Sequence, residues 1–334
     1  MAEDIAPVDI AAETPPLAAI PAPWPGHLRV GYLFAAAGAI LFSTKAVAIK
    51  LAYQEHVDAE TLLALRMILA TPFYLAVGAW SLRDRAKSGR SLPALRLVAA
   101  ASATGLLGYW VASYLDFLGL EYVSAQIERL ILFTYPIFVV IFGALFFRQR
   151  ITARAAVAVA ISYAGLAVIF GQNAITGGRA GLIGAMLVLG AAVAFAFYQL
   201  FAKSVIGAVG PRLFTCISML AAAVGAVAQF LFTHPAGDIA VSGRLWLISL
   251  FIAIGSTVLP TFLLNAALHR ISAQANATIG TLSPVATIVL AWAILGETLA
   301  PIAWIGTALV IAGVGWFTLG DAAARAGRRN GRAG

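Results

Sequence analysis

Five ionisable side chains stand inside otherwise apolar stretches of the chain: Lys45, Arg66, Asp116, Glu128 and Arg129. An ionised group in hydrocarbon costs about 2.5–3.5 kcal/mol on insertion scales, so each needs a partner, a cavity or a task. Lys45 and Glu128 lie deepest and read as substrate-binding or gating groups, with Asp116 a second carboxylate for Lys45. A lysine opposed by carboxylates seals a path when paired and meets a substrate carboxylate when released. Arg66 and Arg129 fit equally well as snorkelling or paired structural charges. Neutral amides occupy the opposite half: Gln199, Asn265 and Asn276 offer hydrogen bonds across helices of about 0.6 kcal/mol each. Tyr109, Trp110, Tyr114, Tyr135 and Tyr198 add aromatic surface. Aromatic walls with few polar groups suit a zwitterion bearing an apolar side chain, and ordinary helix packing explains them equally well.

Enzymatic chemistry finds little to work with. His27, His56, His234 and His269 all fall in loops or at the ends of apolar stretches, without metal-ligand or base spacing. There is no G-x-S-x-G and no phosphate-binding glycine loop. Cys216 is the single cysteine, which excludes an intramolecular disulfide and a cysteine-built zinc site. No catalytic residue, metal site or cofactor is therefore expected.

The elements that carry these residues follow from composition. Of 334 residues, 61% are hydrophobic and 11% charged, with mean hydropathy +0.92. A soluble domain has about 45–50% and about 25%, so a soluble enzyme and a disordered chain are both excluded. A span needs roughly 20 apolar residues. Polar and Gly/Pro punctuation divides residues 30–320 into ten: 30–52, 60–82, 95–117, 124–147, 152–171, 180–203, 212–233, 245–267, 273–295 and 300–320. Residues 1–29 are acidic and hold six prolines, unlike a signal peptide, and read as a disordered cytoplasmic tail. Residues 321–334 form a basic tail, also cytoplasmic. With both termini inside, 16 of the 22 Lys and Arg fall on the inner side and three on the outer, as positive-inside topology requires. That placement accounts for the net charge of +8 without a nucleic-acid partner.

The chain also repeats itself. A shift of 148 residues lays Leu120, Ser124-Ala125-Gln126, Ile131 and Pro136 on Leu268, Ser272-Ala273-Gln274, Ile279 and Pro284, without a gap. Each half, 30–171 and 180–320, then holds five spans. Five is odd, so the second half enters the membrane from the opposite side, the inverted-repeat plan associated with alternating access. Pro136 and Pro284 fall near the centres of equivalent spans, where a missing N–H frees carbonyls and kinks a helix that lines a cavity or packs on a neighbour.

Three segments carry a resemblance to a known family: STKAVAIKLA at 43–52, ALRMILATPFYLA at 64–76 and LSPVATIVLAWAILGETLAPIAWIGTALVIAGV at 282–314. They resemble the first, second and last two helices of the drug/metabolite transporter superfamily, EamA type. The likeness covers nearly all of residues 30–320 and is strongest to the bacterial exporters of aromatic and other amino acids. One departure stands out, for the first-half counterpart of Gly296-Glu297 is Arg148-Gln149. The resemblance implies an all-α protein of the bacterial inner membrane, ten helices in two inverted halves around a central cavity. It implies an amino-acid substrate, contact with membrane lipid and no obligatory protein partner. Export of cationic or aromatic xenobiotics is the alternative; a channel or an embedded enzyme fits the repeat less well.

Overall fold

The computed structural model describes residues 25–147, 177–268 and 282–298, with 153, 156–157, 160–161, 163–165, 167–168, 171, 301–302, 304–313 and 316. Among them there is no strand. α1 (Pro25–Tyr53) and α2 (Ala59–Lys87) each run 29 residues, about 44 Å at 1.5 Å per residue, enough to cross a hydrocarbon core of about 30 Å. The turn between them is set by His56 at φ 58° and by Asp58, whose carboxylate accepts from the Thr61 amide at 2.8 Å and so caps α2. α3 (Leu95–Gly105), a π-helical turn (Leu106–Val111) and α4 (Ala112–Tyr122) form one continuous span. α5 (Ala125–Leu132) and α6 (Tyr135–Phe147) form the next, interrupted just before Pro136, where Thr134 turns its hydroxyl onto the Ile131 carbonyl at 2.6 Å. α7 (Gly178–Val209) and α8 (Pro211–Thr233) are separated by Gly210 at φ 90°. α9 (Gly243–Leu250), a second π segment (Phe251–Val258) and α10 (Leu259–Leu268) come next, then α11 (Leu282–Leu290) and a third π segment (Ala291–Leu295).

Seven of these helical runs are long and apolar enough to cross a membrane, which makes the chain a multi-pass membrane protein. They correspond to the first four and the sixth to eighth of the ten expected spans. The ninth and tenth coincide with the shorter apolar helices Ser283–Leu295 and Trp304–Gly313. The fifth falls where only scattered helical residues between 153 and 171 are described. Pro284 is buried near the start of α11, and the residues before Leu282 lie outside those described.

Polar contacts tie the connections together at two ends. At one, Arg244 pairs with Glu55 at 2.9 Å, His234 with Asp58 at 3.4 Å, and the Ala59 amide donates to Glu121 at 3.1 Å. At the other, Arg85 donates to the Val209 carbonyl at 3.3 Å. Residues 53–59, 121–125, 233–244 and 295–297 thus share one end, as a chain that crosses back and forth demands.

One backbone irregularity recurs at the spacing of 148 residues. Adding 148 to Leu106–Val111 gives 254–259, which overlaps the second π segment at Phe251–Val258. A π turn holds one residue more than the α-helix around it and re-aims the helix beyond it. Glycine lets the first of these spans approach its neighbours: a Cβ on Gly105 would stand 2.3 Å from the Ser218 carbonyl oxygen of α8, and one on Gly108 would stand 2.3 Å from the Tyr198 ring of α7.

Candidate functional site

α1 and α4 cross so that Lys45 and Asp116 meet in the interior. Lys45 Nζ lies 2.7 Å from Asp116 Oδ2, and their side chains are 9% and 2% exposed. Glu128, from the first turn of α5, is wholly buried in the same cluster, and neither of its carboxyl oxygens has a hydrogen-bond partner. Arg129 approaches Glu128 with Nε at 3.8 Å and donates from Nη2 to the Phe42 carbonyl at 3.4 Å. The Phe42 ring stands between two cations, 5.7 Å from Lys45 Nζ and 5.5 Å from the Arg129 guanidinium. Cations over an aromatic face are stabilised by the ring quadrupole, more so where water is excluded. Arg66 of α2 lies 5.3 Å over the Phe117 ring and reaches Ser113 only at 3.5 Å. All five charges picked out in the sequence therefore gather around α1, α2, α4 and α5, with Lys45 on Asp116 directly and Glu128 behind. Three cations meet two carboxyls here, the third, Arg66, resting on the Phe117 ring, and breaking a buried pair by removing one partner costs about 3–5 kcal/mol.

Beside this cluster runs a seam of hydroxyls. Ser43 donates to Ser283 at 2.8 Å, Thr287 donates to the Ser43 carbonyl at 3.1 Å, and Thr44 shares a 2.8 Å bond with Ser256. It joins α1 to α11 and to the second π segment. Small polar groups of this kind allow helices from different halves to sit close and to exchange partners.

The start of α5 is held from the other half of the chain. Ser124 accepts the Ile127 amide as N-cap at 3.2 Å. Glu297 accepts the Ala125 amide at 3.1 Å and the Gln126 amide at 3.4 Å. Gln126 returns its side-chain amide to the Ile288 carbonyl at 3.3 Å and to the Glu297 carbonyl at 3.1 Å. Gly296, at φ 69°, ends the preceding helix in the left-handed conformation that turns Glu297 inward. A carboxylate at a helix N-terminus satisfies free amides and opposes the helix dipole. Glu297→Ala is therefore expected to lower stability by about 1–2 kcal/mol, measured as a fall in melting temperature in detergent; a Glu297→Gln variant should retain part of it. Sequence reading found the Ser-Ala-Gln triplet and the Gly-Glu turn separately and missed that they are partners. The signal was there in two motifs that both fall near the ends of spans.

The aromatic residues face several interfaces. Tyr109 and Tyr198 share a hydroxyl bond of 2.8 Å, with rings edge to face at 5.0 Å. Trp110 donates to Gln229 of α8 at 2.6 Å. Tyr114 donates to Glu60 of α2 at 2.6 Å. Tyr135 meets Phe195 of α7 edge to face at 5.0 Å. Gln199 is half-buried on α7. Asn265 falls in α10 with its side chain outside the described residues, and Asn276 lies outside them altogether. Among the described side chains, the structure brings Lys45 and Glu128 together and distributes the aromatic groups along helix contacts.

Two hollows open along α1. One, about 440 Å³, is lined by Lys50, Tyr53, Gln54, Val57, Glu121, Leu295 and Glu297 and lies at the end that holds Glu55 and Glu297. The second, about 330 Å³, is an apolar groove between α1, the α9 span and the α11 span, with Thr44 in its lining. Among the described residues no three of His, Cys, Asp and Glu converge as a metal site requires.

Comparison with known proteins adds relatives to this geometry. The profile of the EamA-like transporter family matches residues 29–171 and again 182–319, two copies that meet near the boundary of the internal repeat. The uncharacterized transporter YcbK of Bacillus subtilis (strain 168) is 29% identical over 292 residues, spanning 83% of this chain and 88% of that protein. A protein of Streptantibioticus cattleyicolor named "Probable terminal-alkyne amino-acid exporter" is 29% identical over 259 residues, 75% of this chain and 82% of that one. One solved crystal structure superposes with a TM-score of 0.58 at 19% identity, over 86% of this chain and 96% of its own, a likeness of fold.

Proposed function

Because the chain belongs to the EamA-like transporter family, we propose that it exports amino acids, aromatic and other small ones, across a bacterial inner membrane by alternating access. The reading takes residues 30–171 and 180–320 as two inverted five-helix halves, ten spans in all, with both tails, 1–29 and 321–334, in the cytoplasm. The observation that carries it is the buried Lys45–Asp116 pair, 2.7 Å apart between α1 and α4. A zwitterion presents one carboxylate and one ammonium, and this pair presents one cation and one carboxylate. Each can exchange its internal partner for the matching substrate group with no net charge left in the membrane interior. The hydroxyl seam between α1 and α11 is the complementary element, a contact between halves that small shifts can remake. A relative at 29% identity named as a probable amino-acid exporter supports the substrate class.

The test is transport by the purified full chain in proteoliposomes whose orientation is fixed by side-specific labelling of cysteines placed at residues 87 and 237. These two should label from opposite faces. A panel of labelled amino acids should then show saturable uptake and counterflow, which a channel does not give. Labelling from the same face would refute the topology. Transport of lipophilic cations with no amino-acid flux would replace the substrate class with xenobiotics.

A further inference from the structure

We propose that the end of the protein where α2, α3, α7 and α8 meet is a seat for an anionic phospholipid, whose headgroup phosphate is held by Arg212 on the Trp80 ring and by the cations around the α2–α3 connection. The inference requires only that the chain spans a membrane, and it stands whatever the transported substrate is.

Three segments assemble the seat. Arg85, in the last turn of α2, donates to the Ser91 carbonyl of the following loop at 2.6 Å and to the Val209 carbonyl at the end of α7 at 3.3 Å. Leu97, near the start of α3, packs against the apolar cluster that holds Val209 and Leu213. Arg96 and Arg212, each next in sequence to one of these leucines, are thereby brought to the end of α2. On α2 itself Trp80, Arg83, Asp84 and Lys87 follow at helical spacing and share one face. Arg212 crosses from α8 to that face and lies 4.9 Å over the Trp80 ring.

The charge at this end is not balanced from within. Arg83, Arg85, Lys87, Arg90, Arg96 and Arg212 stand against one carboxylate, Asp84, and none of the seven forms an ion pair among the described residues. The opposite end differs, for there Arg244 has Glu55 and His234 has Asp58. Retention of basic side chains on one side of a membrane accounts for the number of cations, but not for the laying of Arg212 on an indole. A guanidinium held by its face on an aromatic ring keeps its N–H edges free, and those edges fit two phosphate oxygens at once.

Apolar exposure beside the cations selects a lipid over a free anion. Trp80 is 54% exposed, and Leu92 and Leu95, on either side of the α2–α3 connection's end, are 72% and 83% exposed. Tryptophan at the border of a span sits at headgroup level, and the two leucines offer acyl chains a contact that inorganic phosphate cannot use. A zwitterionic lipid also carries a phosphate, but it brings a quaternary ammonium into the same field of cations and is disfavoured. Each basic side chain near an anionic surface strengthens binding about fivefold, so removal of one should be measurable.

Native mass spectrometry of the full chain, in detergent with dioleoyl phosphatidylglycerol or dioleoyl phosphatidylcholine, varies the headgroup at constant acyl chains. The wild type should retain phosphatidylglycerol at least about tenfold more than phosphatidylcholine, a preference that falls at high salt. Arg212→Gln, an exposed substitution that should fold, is expected to lower that retention about fivefold or more. Arg212→Lys keeps the charge without the planar fork and should lose most of the same retention. Arg179→Gln removes one exposed cation at the far end of α7 and should retain lipid as the wild type does. Phosphatidylglycerol should also raise the melting temperature of the wild type, where equimolar inorganic phosphate should not. Equal retention of the two lipids, wild-type retention by Arg212→Gln or by Arg212→Lys, or an equal loss in Arg179→Gln would overturn the seat. A rise in melting temperature with inorganic phosphate as large as with the lipid would overturn the lipid as its occupant.

Discussion

Lys45→Ala is expected to reduce amino-acid flux at least 100-fold while a fraction of the protein still reaches the membrane. The loss has two sources that a second variant separates. Removing the ammonium leaves Asp116, 2% exposed, without its 2.7 Å partner. An orphaned charge of this kind costs about 3–5 kcal/mol, so the melting temperature should fall steeply. Lys45→Ala combined with Asp116→Asn removes the orphan and should recover much of that stability, as neutralising both members of a buried pair often does. Flux should stay low in the double variant, since neither group remains to meet a zwitterion. Thermal denaturation and counterflow measured on the same preparations distinguish the two effects. Wild-type flux in Lys45→Ala at equal expression would remove Lys45 from the mechanism.

The second large effect is steric. Gly105→Ala is expected to cost about 3 kcal/mol, at the upper end of overpacking penalties, and to reduce the yield of folded protein severely. Its Cβ would stand 2.3 Å from the Ser218 carbonyl oxygen and 2.4 Å from its Cα, backbone atoms that cannot rotate aside. Ser218 is itself held by donating to the Ala101 carbonyl at 3.0 Å, so the two helices have no slack at this crossing. Gly190→Ala is the control: its Cβ would meet only the Leu115 side chain at 3.4 Å and should change stability little. Comparable melting temperatures for the two variants would show that the α3–α8 crossing is looser than its geometry.

Seven of the ten expected spans were legible in the sequence because a membrane helix is written in composition, some 20 apolar residues between polar breaks, and needs no knowledge of its neighbours. The charged cluster was partly legible for the same reason: Lys45, Asp116 and Glu128 are conspicuous where charge is costly. Which carboxylate Lys45 takes was not, because that depends on how α1 crosses α4. The role of Glu297 escaped for a different reason. Self-comparison aligns a motif with its copy, whereas Glu297 binds Ala125 and Gln126, a different motif some 170 residues away in the other half. The partners of the aromatic residues were not legible either. Aromatic walls and helix packing suited their positions equally well, and only the folded chain shows that Tyr109, Trp110 and Tyr114 of one span bond to α7, α8 and α2 respectively.

The π turn at Leu106–Val111 makes the length of that span a specification in its own right. Deleting one residue there would restore ideal α geometry and relieve the local irregularity, a change that looks harmless in isolation. It would also rotate everything beyond it by about 100°, one residue's share of the helical turn. Asp116, five residues further on, would swing off the face that meets Lys45, and Tyr114 would leave Glu60. Single-residue deletions through 106–111 should therefore be more damaging than most side-chain replacements in the same stretch, and one residue inserted between the deletion and Asp116 should restore the pairing with Lys45.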